Sequence, residues 1–516
     1  MRALSRIALL STLVAVSATP SFAQSLTAGP EILVTTAGYL HVREAAPAIA
    51  LRSDGGFVSV WRDSRSIHTR AFAASDAPLS AARKLSSAGP DSPRLAALAS
   101  GGFVAVWTGY RPPTPPTYTG DGTIVVQLLD SAGNRLGSPQ ELDNGSGVAE
   151  GVGDPAVAAE PDGGFVVVWN SARRILARRF DSHGTPVTGE MILASASGFL
   201  AVTALPGGGF AVSRLEFISD VTGHVRMQVS IQAFAADGTP VGPQTIQASA
   251  LAVSAAISAD ASGHFIAAWT EQAGVQAPYR VFARRFSPSG QPLGDPIPVG
   301  STPSLWFSAY VTSVAARPDG SFLVVWGQEI NPISSGPASL EPVEGDVWAR
   351  AYTATGESLG AAFLVHDGAA GEQHDGQAVA AADGWLVTWM QRLDGSRVAA
   401  RRLTLACGAA TAICLNGDRF RAEVAWKVPS TGAEGIGTPI PLTDDTGSFW
   451  FFTPANYELA VKVLDGRALN GHFWVFYGSL TDVEFDLTVT DTATGQVRTY
   501  HNPAGTMASR ADTLAF

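Results

Sequence analysis

His374 and Asp375 stand side by side, and an imidazole next to a carboxylate is the pair from which acid–base or metal sites are built. Adjacent residues on a strand point to opposite faces, so the simpler expectation is a solvated loop pair. Further carboxylates lie in two long insertions: Asp121 closes the segment 110–121, and Glu344 and Asp346 close the segment 331–346. Their oxygens suit sugar hydroxyls or Ca²⁺, the one cofactor with any support. Tyr118, Tyr279 and Trp306 offer aromatic faces on which sugar rings can stack. No Gly-x-Ser-x-Gly elbow, His-Glu-x-x-His pair or phosphate loop ending in Lys-Ser or Lys-Thr occurs. The eight residues Tyr118, Asp121, Tyr279, Trp306, Glu344, Asp346, His374 and Asp375 are therefore read as a ligand-binding set, with no catalytic residue assigned. The two cysteines, Cys407 and Cys414, are expected to close a small disulfide loop, since no His follows at zinc-ligand spacing.

A repeat must position these groups. Gly163-Gly164-Phe165-Val166-Val167-Val168-Trp169 has close copies ending at Trp61 and Trp107, and weaker ones ending at Arg214, Trp269, Trp326 and Trp389. The seven copies recur at a mean spacing of roughly 55 residues, a period that signals a repeat architecture. Each unit carries four short strand signals with Gly- and Asp-rich turns, and the Phe-to-Trp run is apolar on both faces. Four-stranded sheets stacked face to face around an axis satisfy that burial, which is a β-propeller. The seventh unit lacks a fourth strand, and 29–35 reads as an orphan one that closes the last blade and removes an open edge. Arg70, Arg178, Arg284, Arg350 and Arg401 share one register of the third strands, with Gln127 and Gln232 there in the second and fourth units. A position repeated so widely is expected to serve packing rather than an anionic ligand.

After Leu405 the repeat stops. Strand signals at 419–426, 448–452, 458–463, 472–477, 484–489 and 496–500 predict a small Ig-like β-sandwich. At the other end, Arg2 and Arg6 precede an apolar run over 7–18 and small residues at Ser21 and Ala23. That is the pattern of a signal peptide over 1–23, too short to span a bilayer. The domains are thus 1–23, 24–405 (propeller) and 406–516 (sandwich), in a secreted, periplasmic or cell-surface protein with no membrane span. The formal net charge of −11 argues against nucleic-acid binding.

Two resemblances follow from these motifs. The repeats are similar to the Gly-Gly-Phe-Val-Val-Val-Trp / Ala-Arg-Arg-Phe repeats of large secreted bacterial adhesin-like proteins. The stretch from Leu464 to Gly478, with 487–492, resembles a module at the C-termini of many exported bacterial proteins, where Cys often replaces Arg467. The turn Ser53-Asp54-Gly55-Gly56-Phe57 is loosely similar to sialidase Asp-boxes, but the spacing departs, and no arginine triad with a Tyr–Glu nucleophile pair can be assembled. The resemblances imply architecture, not chemistry. The resulting expectation is an all-β protein, a seven-bladed propeller followed by the sandwich, acting as a non-catalytic binding or adhesion protein for an extracellular glycan or protein. A secreted glycan-active hydrolase or lyase with its site on the propeller axis is the first alternative; a structural surface or matrix component is the second.

Overall fold

The computed structural model describes residues 26–35, 47–63, 66–86, 91–110, 122–142, 152–171, 173–195, 198–219, 225–247, 251–272, 274, 277–302, 307–330, 345–368, 371–392, 396–405, 411–416, 419–491, 494 and 496–516. They are mostly β-strand, arranged in repeated four-stranded antiparallel sheets, as in a β-propeller. The third unit is representative. Gly153–Ala159, Phe165–Ser171, Arg174–Phe180 and Met191–Ala194 pair in that order. The first five units form separate sheets of this kind, while the sixth and seventh merge into one nine-stranded sheet.

Burial explains the repeated motif. Every residue of Phe165–Ser171 is buried. Phe165, Val167 and Trp169 pack against the second sheet, and Val166 and Val168 against the fourth. A strand sandwiched this way must be apolar on both faces. The paired glycines have separate causes. Gly163 holds a positive φ of 97° in the turn, which favours residues without a Cβ. At Gly164 a Cβ would meet the Phe180 carbonyl oxygen at 2.5 Å. The Phe beginning each second strand stacks on the aromatic ending the third: Phe57 on Phe72 at 4.4 Å, Phe165 on Phe180 at 4.9 Å, Phe322 on Tyr352 at 4.9 Å.

The repeated third-strand arginine ties sheets together. Nε of Arg70, Arg178, Arg284 and Arg350 donates to the carbonyl ten residues on, at Ser80, Thr188, Gly294 and Gly360. Nη1 of Arg70, Arg350 and Arg401 reaches the neighbouring sheet at the carbonyls of Val34, Val299 and Val365, 2.8–3.1 Å away. Gln127 and Gln232 keep the within-sheet bond, to Leu136 and Val241.

First strands of successive sheets lie side by side from Ala48–Leu51 round to Glu372–Ala381, which in turn packs against Ala48–Leu51. Leu26–Ala28 and Ile32–Leu33 pair with the seventh unit's third strand, Ser396–Leu405. Leu26 lies opposite Leu405, and Ile32 opposite Ala400. Beyond it, two five-stranded sheets share one core of Ile413, Phe420, Phe449, Val461, Phe473, Leu487 and neighbours, none of which belongs to the repeats. No helix among the described residues is long and apolar enough to cross a membrane.

Candidate functional site

At the upper end of the sheets the first strands begin, the second end and the third begin. There the sixth and seventh units meet. Tyr310 sits in Phe307–Ala316 opposite Gly327, the residue following Trp326. His374 sits in Glu372–Ala381 opposite Met390, the residue following Trp389. Tyr310 and His374 thus occupy one register in adjacent units. Glu329, next to last in Phe322–Ile330, lies opposite Gly345, and Gly345 forms a parallel bridge to Glu372 that joins the two units.

Local sequence fixes each group. Gly327 leaves room for a phenol, since a Cβ there would lie 2.6 Å from Tyr310 Cζ. Tyr310 Oη crosses over it and donates to Glu329 Oε1 at 2.5 Å. In the seventh unit the pairing register shifts between His374 and Gln377, and Asp375 takes a left-handed φ of 55°. This bulge breaks strand alternation. The adjacent side chains consequently meet, His374 Nδ1 lying 2.8 Å from Asp375 Oδ2, contrary to the expectation of a solvated loop pair. Arg392 Nη1 donates to Glu372 Oε2 at 3.1 Å. Each of three carboxylates therefore has its own donor.

The groups feel one another electrostatically. Burial lowers the His374 pKa, but the hydrogen bond to Asp375 and the charges of Asp375, Glu329 and Glu372 outweigh it, and the net shift is upward. Burial first, then the Glu329 charge and hydrogen bond, with Asp375 and Glu372 contributing, push the Tyr310 phenol well above its ordinary range. A Tyr–Glu pair, which motif reading did not find, is thus present. Its phenol keeps its proton and acts as a donor to Glu329 rather than as a nucleophile.

The remaining sequence-derived candidates fall as follows. Tyr118, Asp121, Trp306 and Glu344 lie outside the described residues, as does Cys407, while Cys414 lies in Ala412–Leu415. Tyr279 is half-buried against the cluster shared by the fifth and sixth units, and its N–H donates to Thr302 Oγ1 at 3.0 Å. Asp346 lies at the same end, 3.3 Å from Nε2 of the buried His366. Burial lowers the His366 pKa despite the nearby carboxylates of Asp346, Glu31 and Asp367. Of the described candidates, His374 and Asp375 join the cluster with Tyr310, Glu329 and Glu372, and Tyr279 and Asp346 do not. The overlooked signal was Gly327, because the residue after the strand's Trp is Arg62, Thr108, Asn170, Thr270 or Met390 in the other Trp-bearing units. Among the described residues no group of three or more His, Cys, Asp or Glu is disposed to hold a metal ion.

No protein-family model and no curated protein matches the chain. Among solved structures it is similar to a protein of unknown function from Dyadobacter fermentans (13% identity, TM-score 0.44, covering 74% of this chain and 99% of that one). It is also similar to the Dos1 propeller (10%, TM-score 0.32, 54% and 64%). A third is an α-L-arabinanase of Penicillium chrysogenum complexed with arabinobiose (11%, TM-score 0.37, 73% and 99%). Several other similar structures are glycoside hydrolases. The expectation of a non-catalytic binding or adhesion protein is corrected on the chain's own geometry: the upper end gathers a carboxylate constellation that the sequence pattern does not bring together. The chain is an all-β protein of repeated four-stranded sheets, similar in fold to β-propeller proteins.

Proposed function

We propose that the chain is a glycan-active hydrolase whose site lies at the upper end of the axis, between the sixth and seventh units. Glycosidic bonds are cleaved by two carboxyl groups in different environments, one giving a proton to the leaving oxygen and one acting as base or nucleophile. The observation that carries this reading is the cluster of Glu329, Glu372 and Asp375, each with its own donor, around His374 and Tyr310. Glu329, held by Tyr310, and Asp375, held by His374, are the pair assigned to these two roles. The expected ligand is an extracellular glycan.

The same proposal covers the architecture around the site. Seven blades, closed by the N-terminal strand over 24–405, are supported by the seven sequence repeats and by the packing of Glu372–Ala381 against Ala48–Leu51. An Ig-like sandwich over 406–516 is supported by two sheets with one core. A signal peptide over 1–23, export to the periplasm, surface or medium, and a Cys407–Cys414 disulfide rest on the sequence patterns given above. The test is reducing-end release from neutral polysaccharides such as arabinan and xylan. Release by the parent protein, lost in E329Q and D375N but kept in D346N, is expected. No release from any glycan, or equal release by all three variants, would overturn the reading.

A further inference from the structure

At the register that places Tyr310 and His374 at the upper end, the fourth unit has Phe199, opposite Leu215. The second, third and fifth units place Asp91, Gly153 and Ser254 there, opposite Thr108, Asn170 and Thr270. Phe199 is 59% exposed, although it lies on a first strand, Gly198–Ala204, in the innermost layer of the fold. A large apolar ring left in water at that position gains nothing from folding.

The backbone beneath it is tightly held. Buried Asn170 donates from Nδ2 to the Gly198 carbonyl at 2.6 Å and accepts the Gly198 N–H on Oδ1 at 3.2 Å. Gly198 is required, because a Cβ would fall 1.6 Å from the Leu215 carbonyl oxygen. The next residue, Leu200, turns into the core between the third and fourth sheets. The ring is thus fixed at its base, on the rim of the end that bears the carboxylates.

An exposed, pre-positioned aromatic face binds the C–H face of a sugar ring while the hydroxyls stay in water. The charge across the rim narrows the choice of sugar. Among the described residues Arg392 bonds Glu372 and His374 bonds Asp375, whereas Glu329 is bonded by the neutral Tyr310, so three carboxylates meet two cationic partners and a uronic acid meets repulsion that a neutral sugar does not. We propose that Phe199 is the stacking platform of this site and that the substrate is a neutral oligosaccharide reaching from Phe199 to Glu329 and Asp375, an inference that rests on the hydrolase reading and its seven-membered ring.

The test is calorimetric titration of E329Q protein, which prevents turnover, with arabinohexaose, xylohexaose and hexagalacturonate. A neutral hexamer binding more tightly than the uronate, with Kd raised about tenfold by F199A and restored by F199W, is expected. A matching rise in KM of F199A in the active protein, with kcat kept, is the second readout. An unchanged Kd and KM in F199A, preference for hexagalacturonate, or loss of self-association as the sole effect of F199A, would overturn the platform. Phe199-dependent binding without any reducing-end release by the parent protein would overturn the hydrolase reading and leave the platform standing. Neither binding nor release would overturn both.

Discussion

Replacing Gly327 by Ala tests how the sixth unit builds its half of the site. The backbone tolerates Ala, since Gly327 is not among the residues with positive φ. The obstacle is the added Cβ, which would lie 2.6 Å from Tyr310 Cζ, 2.7 Å from Cε2 and 2.9 Å from Oη. Ordinary carbon contacts need about 3.5–4.0 Å, so the ring must move by about 1 Å. The 2.5 Å bond to Glu329 then stretches beyond hydrogen-bonding range. Overpacking costs about 1–3 kcal/mol and loss of a hydrogen bond to a charged acceptor about 1.5–3 kcal/mol. G327A is expected to lose about 3–5 kcal/mol in urea unfolding followed by tryptophan fluorescence, together with most of its glycan turnover. In a Tyr310→Ala background the clash vanishes, and adding G327A is expected to cost under about 1 kcal/mol. Equal losses in both backgrounds would refute the steric argument.

Other predictions follow from individual contacts. His374 has a raised pKa in the folded protein, so its charge contributes stability that is fully present below about 6.5 and is lost as pH rises through the folded value. The stability gap between the parent protein and H374Q should therefore shrink as pH climbs above that point, and a gap that widens would contradict the sign. Arg350→Ala removes donors to both Gly360 and Val299 and should cost about 2–3 kcal/mol in urea unfolding. Arg350→Gln should cost about half as much, because Gln127 and Gln232 keep the within-sheet bond at this register. Alkylation of the unfolded, unreduced protein should add no mass, and two additions without reductant would exclude the Cys407–Cys414 disulfide.

The repeat was legible because its signal is strong wherever a strand is buried on both faces. Phe165 to Trp169 can vary little when one set of side chains meets the second sheet and the other the fourth. The register of the third-strand arginines was legible for the same reason. In the C-terminal unit, Ala433–Ile436 and Thr438–Thr443 escaped notice, since Gly435, Pro439 and Pro441 obscure strand character. The second of these lies at the edge of its sheet, where proline is tolerated. The site was harder to read. His374 and Asp375 drew attention by type, but the pattern of alternation separates them, and only the bulge at Asp375 brings them together. Tyr310, Glu329 and Glu372 are dispersed along two units and converge only through register, with Gly327 the lone local clue.

A bound oligosaccharide is expected to meet Glu329 and Asp375 at the junction of the sixth and seventh units. A crystal structure of E329Q protein soaked with a neutral hexasaccharide tests this most directly. The predicted result is a glycosidic oxygen within hydrogen-bonding reach of residue 329, with Asp375 facing the adjacent anomeric carbon. Sugar bound only elsewhere, or none at saturating concentration, would contradict it.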